Sequence, residues 1–112
     1  MNKVYVVQAQ PGKNIVPARK WGDLIELLPA NDQIIISADK AISLIGDKLS
    51  RFDDKDYLLL IGDPIAIMVA GTMAAKVNNG KVNTLKWDRQ TTSYYVVKLD
   101  FSKYEFNFNR RV

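Results

Sequence analysis

One segment constrains this chain more than any other: Tyr57-Leu58-Leu59-Leu60-Ile61 runs into Gly62-Asp63-Pro64 and then into an apolar stretch that ends at Asn79-Gly80. An apolar run without alternation describes a strand covered on both faces. Asp63 suits an N-cap, because its carboxylate can accept from an unpaired N–H of the first helical turn. Pro64 suits the first helical position, where a missing N–H costs nothing. Asn79-Gly80 supplies a left-handed stop. The segment therefore predicts a central strand, a tight turn and a helix to about Asn78. From Ile65 to Gly71 that helix has no polar face, so more than one neighbour must cover it. Ala66, Ala70 and Ala74 form a small-residue stripe at four-residue steps. Two readings stand side by side: tight packing onto the protein's own sheet, and a place in a homo-oligomer interface.

A chain of 112 residues, 47% of them hydrophobic, can bury a core as one domain. It contains no cysteine and no histidine. That excludes disulfides, the common zinc sites and the Ser/His/Asp and Cys/His nucleophile systems. No pair of carboxylates stands out as an acid/base couple, and no cofactor or metal is expected. Asp53-Asp54-Lys55-Asp56 lacks the ligand spacing, turn glycine and terminal glutamate of a calcium loop, and reads as a solvated connection. The N-terminus leads directly into Val4-Tyr5-Val6-Val7 with no cleavage-site pattern, and no apolar run reaches the ~20 residues of a membrane span. The expectation is a cytoplasmic protein without membrane contact.

Lys3 to Gln10 reads as a strand closed by the turn Pro11-Gly12. Asn14 to Trp21 and Asp23 to Leu28 flank Gly22 and read as two short strands or an irregular hairpin, with Pro17 at an edge or bulge. Gln33 to Ile36 is a further candidate strand. Ser37 is a candidate N-cap for a helix in which Ile42, Ile45, Leu49 and Phe52 recur at helical spacing. Lys81 to Asp88 and Ser93 to Phe101 form a hairpin around Arg89-Gln90-Thr91-Thr92. The predicted architecture is a single α+β domain spanning residues 1–112, with two helices and a mostly antiparallel sheet of five to seven strands. Tyr104, Phe106 and Phe108 alternate in the tail 102–112, which could form a last strand or exchange with a second subunit.

The net charge is +4, and residues 76–112 carry eight basic and three acidic groups. Such a patch attracts nucleic acid or an acidic protein. Lys86, Trp87 and Arg89, with Tyr94 on the return strand and Arg110 and Arg111 in the tail, are the candidate contacts for nucleic acid or another partner. Interleaved cations and aromatic rings grip single strands by charge and stacking; the competing reading is ordinary cross-strand packing. Gly62 and Asp63 mark a second candidate, a small phosphorylated ligand at the helix start, although Asp63 would repel such a group. Ala66, Ala70, Ala74, Tyr104, Phe106 and Phe108 are the candidate oligomer contacts.

Tyr57 to Pro64, Asn79-Gly80-Lys81, Leu85-Lys86-Trp87-Asp88-Arg89-Gln90 and Tyr95 together resemble a group of small proteins of tailed bacteriophages, marine ones among them, over about residues 14–100. No established activity comes with that resemblance, and it supplies no catalytic residues. It implies a viral or prophage origin, expression inside a bacterium and action by binding. The sequence thus points to a non-enzymatic phage accessory protein, a homo-oligomer with a dimer first, that contacts a host or phage macromolecule. Single-stranded nucleic-acid binding through residues 86–95 and phosphorylated-ligand binding at Gly62-Asp63 are the alternatives.

Overall fold

The computed structural model describes residues 2–30 and 38–104. Five strands form one mixed sheet in the order β2-β1-β3-β4-β5: β1 Lys3–Gln8, β2 Asp23–Leu28, β3 Tyr57–Leu59, β4 Lys81–Asp88 and β5 Ser93–Asp100. β1 pairs in parallel with both β2 and β3, and β3 in parallel with β4; only β4 and β5 are antiparallel. The expectation of a mostly antiparallel sheet is therefore corrected. The reason lies in the connections: helical segments separate β1 from β2, β2 from β3 and β3 from β4, and each carries the chain back to start the next strand in the same direction.

The segment expected to be a strand at Asn14–Trp21 is one of these crossovers. It forms a 3-10 helix over Val16–Trp21, with Pro17 in its first turn. Asn14 Oδ1 accepts from Val16 N at 3.0 Å, which starts the turn. Pro17 has the fixed φ a helix start needs and no N–H to give a sheet. The candidate strand Gln33–Ile36 and the cap Ser37 lie outside the described residues.

Helices α1, Ala38–Lys48, and α2, Pro64–Val77, cover one face of the sheet. Their core with that face contains Ala41, Ile45, Leu49, Phe52, Tyr5, Val7, Leu58 and Val82. Ala41 takes the buried position on α1 beside Ile45, while Ile42 is exposed at its margin. The 3-10 helix covers part of the opposite face, where Ala18 packs with Val4, Val6, Leu59 and Leu85. β1 and β3 are thus buried on both sides, as their unbroken apolar runs require.

α2 begins and ends as its sequence demands. Asp63 Oδ1 accepts from Ile65 N at 2.7 Å, and Pro64 follows. At the other end Asn79 and Gly80 both have positive φ, and Gly80 N donates to Ala75 O at 2.7 Å. Ala66, Ala70 and Ala74 are fully buried against the sheet. Their missing side-chain bulk brings the α2 backbone close to α1, β1 and β4.

Candidate functional site

The strand order creates one special place. The chain leaves β1 outward to β2, then returns past β1 to β3, so β1 and β3 are neighbours whose carboxyl ends lead to opposite faces. In open α/β sheets, ligands settle in the crevice at such a switch point. Here β1 leads into Gln10-Pro11-Gly12-Lys13, where Lys13 N donates to Gln10 O at 3.2 Å and Gly12 has φ +79°. β3 leads through Leu60 and Ile61 to Gly62 and α2.

Gln8 ties these two exits together. Its Nε2 donates to Pro29 O at 3.1 Å, and its Oε1 accepts from Asp63 N at 3.1 Å. Gly62, at φ +115°, lies so close to Gln8 that a Cβ on it would stand 2.5 Å from the Gln8 Cβ. The two candidate ligand residues therefore have structural partners: Gly62 permits the close approach, and the Asp63 side chain caps its own helix.

Beside this turn, on the 3-10 face, lies a cavity of about 370 Å³ lined by Gly12, Lys13, Asn14, Leu59, Leu60, Ile61, Trp87 and Tyr94. Tyr94 is held in its wall: its hydroxyl donates to Asn14 O at 3.2 Å, and its ring meets Trp87 edge-on at 4.9 Å. Burial pushes the Tyr94 phenol up from its ordinary pKa, so it stays protonated as a donor. Trp87 is 40% exposed.

Among the described residues, the candidate nucleic-acid contacts do not share one face of the hairpin. Trp87 and Tyr94 share the 3-10 face, whereas Lys86, opposite Tyr95, points to the helix face. Arg89 stands at the exposed hairpin tip. Asp88 turns inward on that tip: its carboxylate accepts from Thr91 Oγ1 and Gln90 N, which hold its pKa below the usual carboxylate value. Arg110, Arg111, Phe106 and Phe108 lie outside the described residues. Tyr104 is described and is 65% exposed, after a 3-10 turn over Phe101–Lys103.

A second concavity, about 500 Å³, lies on the helix face between α2 and the β4–β5 hairpin. Its lining is almost wholly apolar, with Ile67, Met68, Ala75, Val82, Leu99 and Phe101 among its residues. Met68 is 66% exposed and Phe101 54%. Tyr95 and Val97, exposed on the same face of β5, extend the apolar surface along the hairpin. The fully buried Ala66, Ala70 and Ala74 contribute nothing to it; the exposed apolar positions are on the flanks of α2.

Lys13, Asn14, Met68, Leu99 and Phe101 were not singled out by sequence reasoning. Pro11-Gly12 was a visible turn signal, but its place at a switch point depends on strand order. Among the described residues no cluster of carboxylates is arranged to hold a metal ion. Asp56, in the acidic connection, instead accepts from Lys3 N and Asp53 N. No helix is long and apolar enough, among the described residues, to cross a membrane.

A family model described as phage Pam3 gp32-like protein matches residues 2–101. The chain belongs to that family. No curated protein and no solved structure matches it. The shared gp32-like region takes in β1, which lay before the resemblance seen in the sequence. It ends at Phe101, whose N–H makes a bond to Gly80 O that closes the β4–β5 pairing. The segment 102–112 falls beyond the gp32-like match.

Proposed function

We propose that this gp32-like chain is a non-enzymatic phage accessory protein of the host cytoplasm that works by protein–protein association, first with a second copy of itself, through β5 and the outer flank of α2. The observation that carries this reading is the continuous apolar surface formed by Met68, Leu99, Phe101, Val97 and Tyr95 around the groove. Apolar surface gathered in this way marks association sites.

The edge strand supports a second copy as occupant. Thr84 Oγ1 donates to Val97 O, and Phe101 N donates to Gly80 O, so the odd-numbered residues of β5 turn their main chain toward β4. The alternation of an antiparallel ladder then turns the N–H and C=O groups of Tyr94, Val96, Lys98 and Asp100 outward. The opposite edge is guarded: Lys48 Nζ donates to Glu26 O and Leu27 O on β2. Two β5 strands can pair antiparallel about a two-fold axis. An axis at Lys98 would set like charges opposite each other, which is destabilising. An axis at Val96 or Val97 sets Tyr95 against Val97 or Leu99 on the helix face, extending the apolar surface across both copies.

Light scattering after size exclusion tests the reading. The full chain should be a dimer. Lys98→Pro should yield a monomer with an unchanged far-UV spectrum, because the N–H it removes points away from β4. Met68→Glu should weaken the same dimer from the helix side. A full chain that is monomeric at high concentration, or a Lys98→Pro variant that remains dimeric, overturns the proposed pairing. A chain ending at Tyr104 that becomes monomeric moves the contact from β5 to the tail.

A further inference from the structure

The cavity at the switch point lies on the opposite face of the sheet from the apolar groove and is independent of the association proposed above. We infer that it is a binding site for a mononucleotide, with Trp87 contacting the base and the Gly12-Lys13-Asn14 turn contacting the phosphate. The geometry supplies each part. The volume of about 370 Å³ falls in the ~300–1,000 Å³ range of small-molecule sites. The floor, Leu59 to Ile61, consists of apolar residues at the end of a central strand.

The wall opposite is aromatic, and part of the Trp87 indole remains accessible. Tyr94 holds that ring through edge contact and is itself anchored to Asn14 O. The anchor also fixes the turn relative to the indole, so the two recognition elements keep their spacing without a ligand. An indole held in this way offers stacking to a flat base.

The turn brings positive character. Lys13 is exposed, and among the described residues no carboxylate pairs with it. The N–H groups of Gly12 and Asn14 make no hydrogen bond among the described residues, while Lys13 N is used in closing the turn. A short turn presenting free main-chain N–H groups beside a lysine is an anion cradle. Gly12 has open space where a side chain would stand, and the residue is exposed. The start of α2 is not part of this cradle, since the Asp63 carboxylate occupies it. Phosphate recognition therefore moves from Gly62-Asp63 to the β1 exit across the switch point.

The chain has two tryptophans, so a Trp21→Phe background leaves Trp87 as the sole indole reporter. AMP, GMP, CMP and UMP are titrated against Trp87 emission, with adenosine and inorganic phosphate as the partial ligands. A saturable change is expected with at least one mononucleotide. Adenosine, phosphate and the Lys13→Glu variant should each weaken the interaction by about tenfold or more, the loss expected for one charged hydrogen-bonding group. Amide shifts of Gly12 and Asn14 and the indole N–H shift of Trp87 in the unaltered chain read the same site without any substitution. No saturable change with any of the four mononucleotides overturns the inference. So does binding that Lys13→Glu leaves intact, or inorganic phosphate binding as tightly as AMP. An oligonucleotide that shifts Trp87 where mononucleotides do not would overturn it in favour of a strand.

Discussion

Replacing Gly62 by alanine should be among the most damaging single-methyl additions this chain can receive. Gly62 joins β3 to α2 at φ +115°, a region that residues with a Cβ avoid. Its added Cβ would stand 2.5 Å from Gln8 Cβ and 2.8 Å from Gln8 O. Neither atom is the loose end of a side chain. Gln8 N donates to Ile61 O at 3.0 Å, and the Gln8 amide joins Pro29 to Asp63. Relief requires either a shift of β1 against β3 or a new conformation at the turn, and both disturb the Gln8 bonds.

The backbone conformation contributes about 1–3 kcal/mol, the overlap about 1–3 kcal/mol, and a weakened buried hydrogen bond about 1 kcal/mol. A total of ~3–7 kcal/mol is a large part of the ~5–15 kcal/mol that holds an ordinary domain folded. Gly12→Ala is the matched control: φ is +79°, but nothing lies within 4 Å of the added atom. Only the left-handed penalty of about 1–2 kcal/mol applies there. Urea unfolding followed by circular dichroism should therefore separate the two variants by roughly 2–5 kcal/mol, and melting should follow at ~4–8 °C per kcal/mol. If the two substitutions cost the same within about 0.5 kcal/mol, the close approach of Gly62 to Gln8 has no energetic weight and the reasoning fails.

Two further outcomes follow from buried polar groups. Asp56→Ala strips Lys3 N and Asp53 N of their acceptor at the start of β1 and should cost about 1–3 kcal/mol in the same unfolding assay; an Asp56→Asn variant, which keeps one acceptor oxygen, should recover part of it. The Tyr5 phenol has its pKa raised, by burial first and then by Asp56 and Asp53, and burial raises Tyr94 likewise. In the unfolded chain these phenols lose their protons near the ordinary ~10. Stability from both is thus fully present below that pH and is lost as pH rises through the folded values. Tyr5→Phe should flatten this alkaline loss in melting curves recorded across that range, and an unchanged slope would refute the assignment.

The segment from Tyr57 to Gly80 was legible because its signals are local. An uninterrupted apolar run, an acidic cap, a proline at the first helical position and an Asn-Gly stop each act within a few residues. The hairpin was legible for the same reason. The parallel order was not, because Asn14–Trp21 carries β-branched residues and a proline that fit an edge strand as well as a 3-10 crossover. Reading it as a strand removes the connection that returns the chain for β2. The alanine stripe had an ambiguity of another kind: small residues permit close packing but do not say whose backbone approaches, and here the stripe is buried in the core that α2 shares with α1 and the sheet. The crevice residues are distant in sequence, with Asn14 and Tyr94 joined by one hydrogen bond. No local pattern announces such a pair.

The apolar groove follows from the reversal of the chain at Arg89–Thr92. Up to β4, the three parallel pairings each come with a helical crossover, and two of those crossovers, α1 and α2, cover the helix face. A further parallel strand beside β4 would need another crossover, which would lie over β4 and the outer flank of α2. The hairpin supplies β5 without it. Leu99 and Phe101 then face the groove beside Met68 with no helix over them among the described residues, and Tyr95 and Val97 continue the exposed row. Thr84 sits among these apolar residues because its hydroxyl donates to Val97 O. The uncovered surface and the outward-facing edge of β5 thus have one origin and lie on one side of the molecule. Two-fold pairing of β5 would cover the edge and bring two apolar surfaces together at once. Lys98→Pro and Met68→Glu should therefore weaken assembly through the same contact, and a double variant should show less than the sum of their separate effects. Full additivity would mean that edge and groove contribute independently to assembly, and no effect of Met68→Glu would mean that the groove serves a different partner.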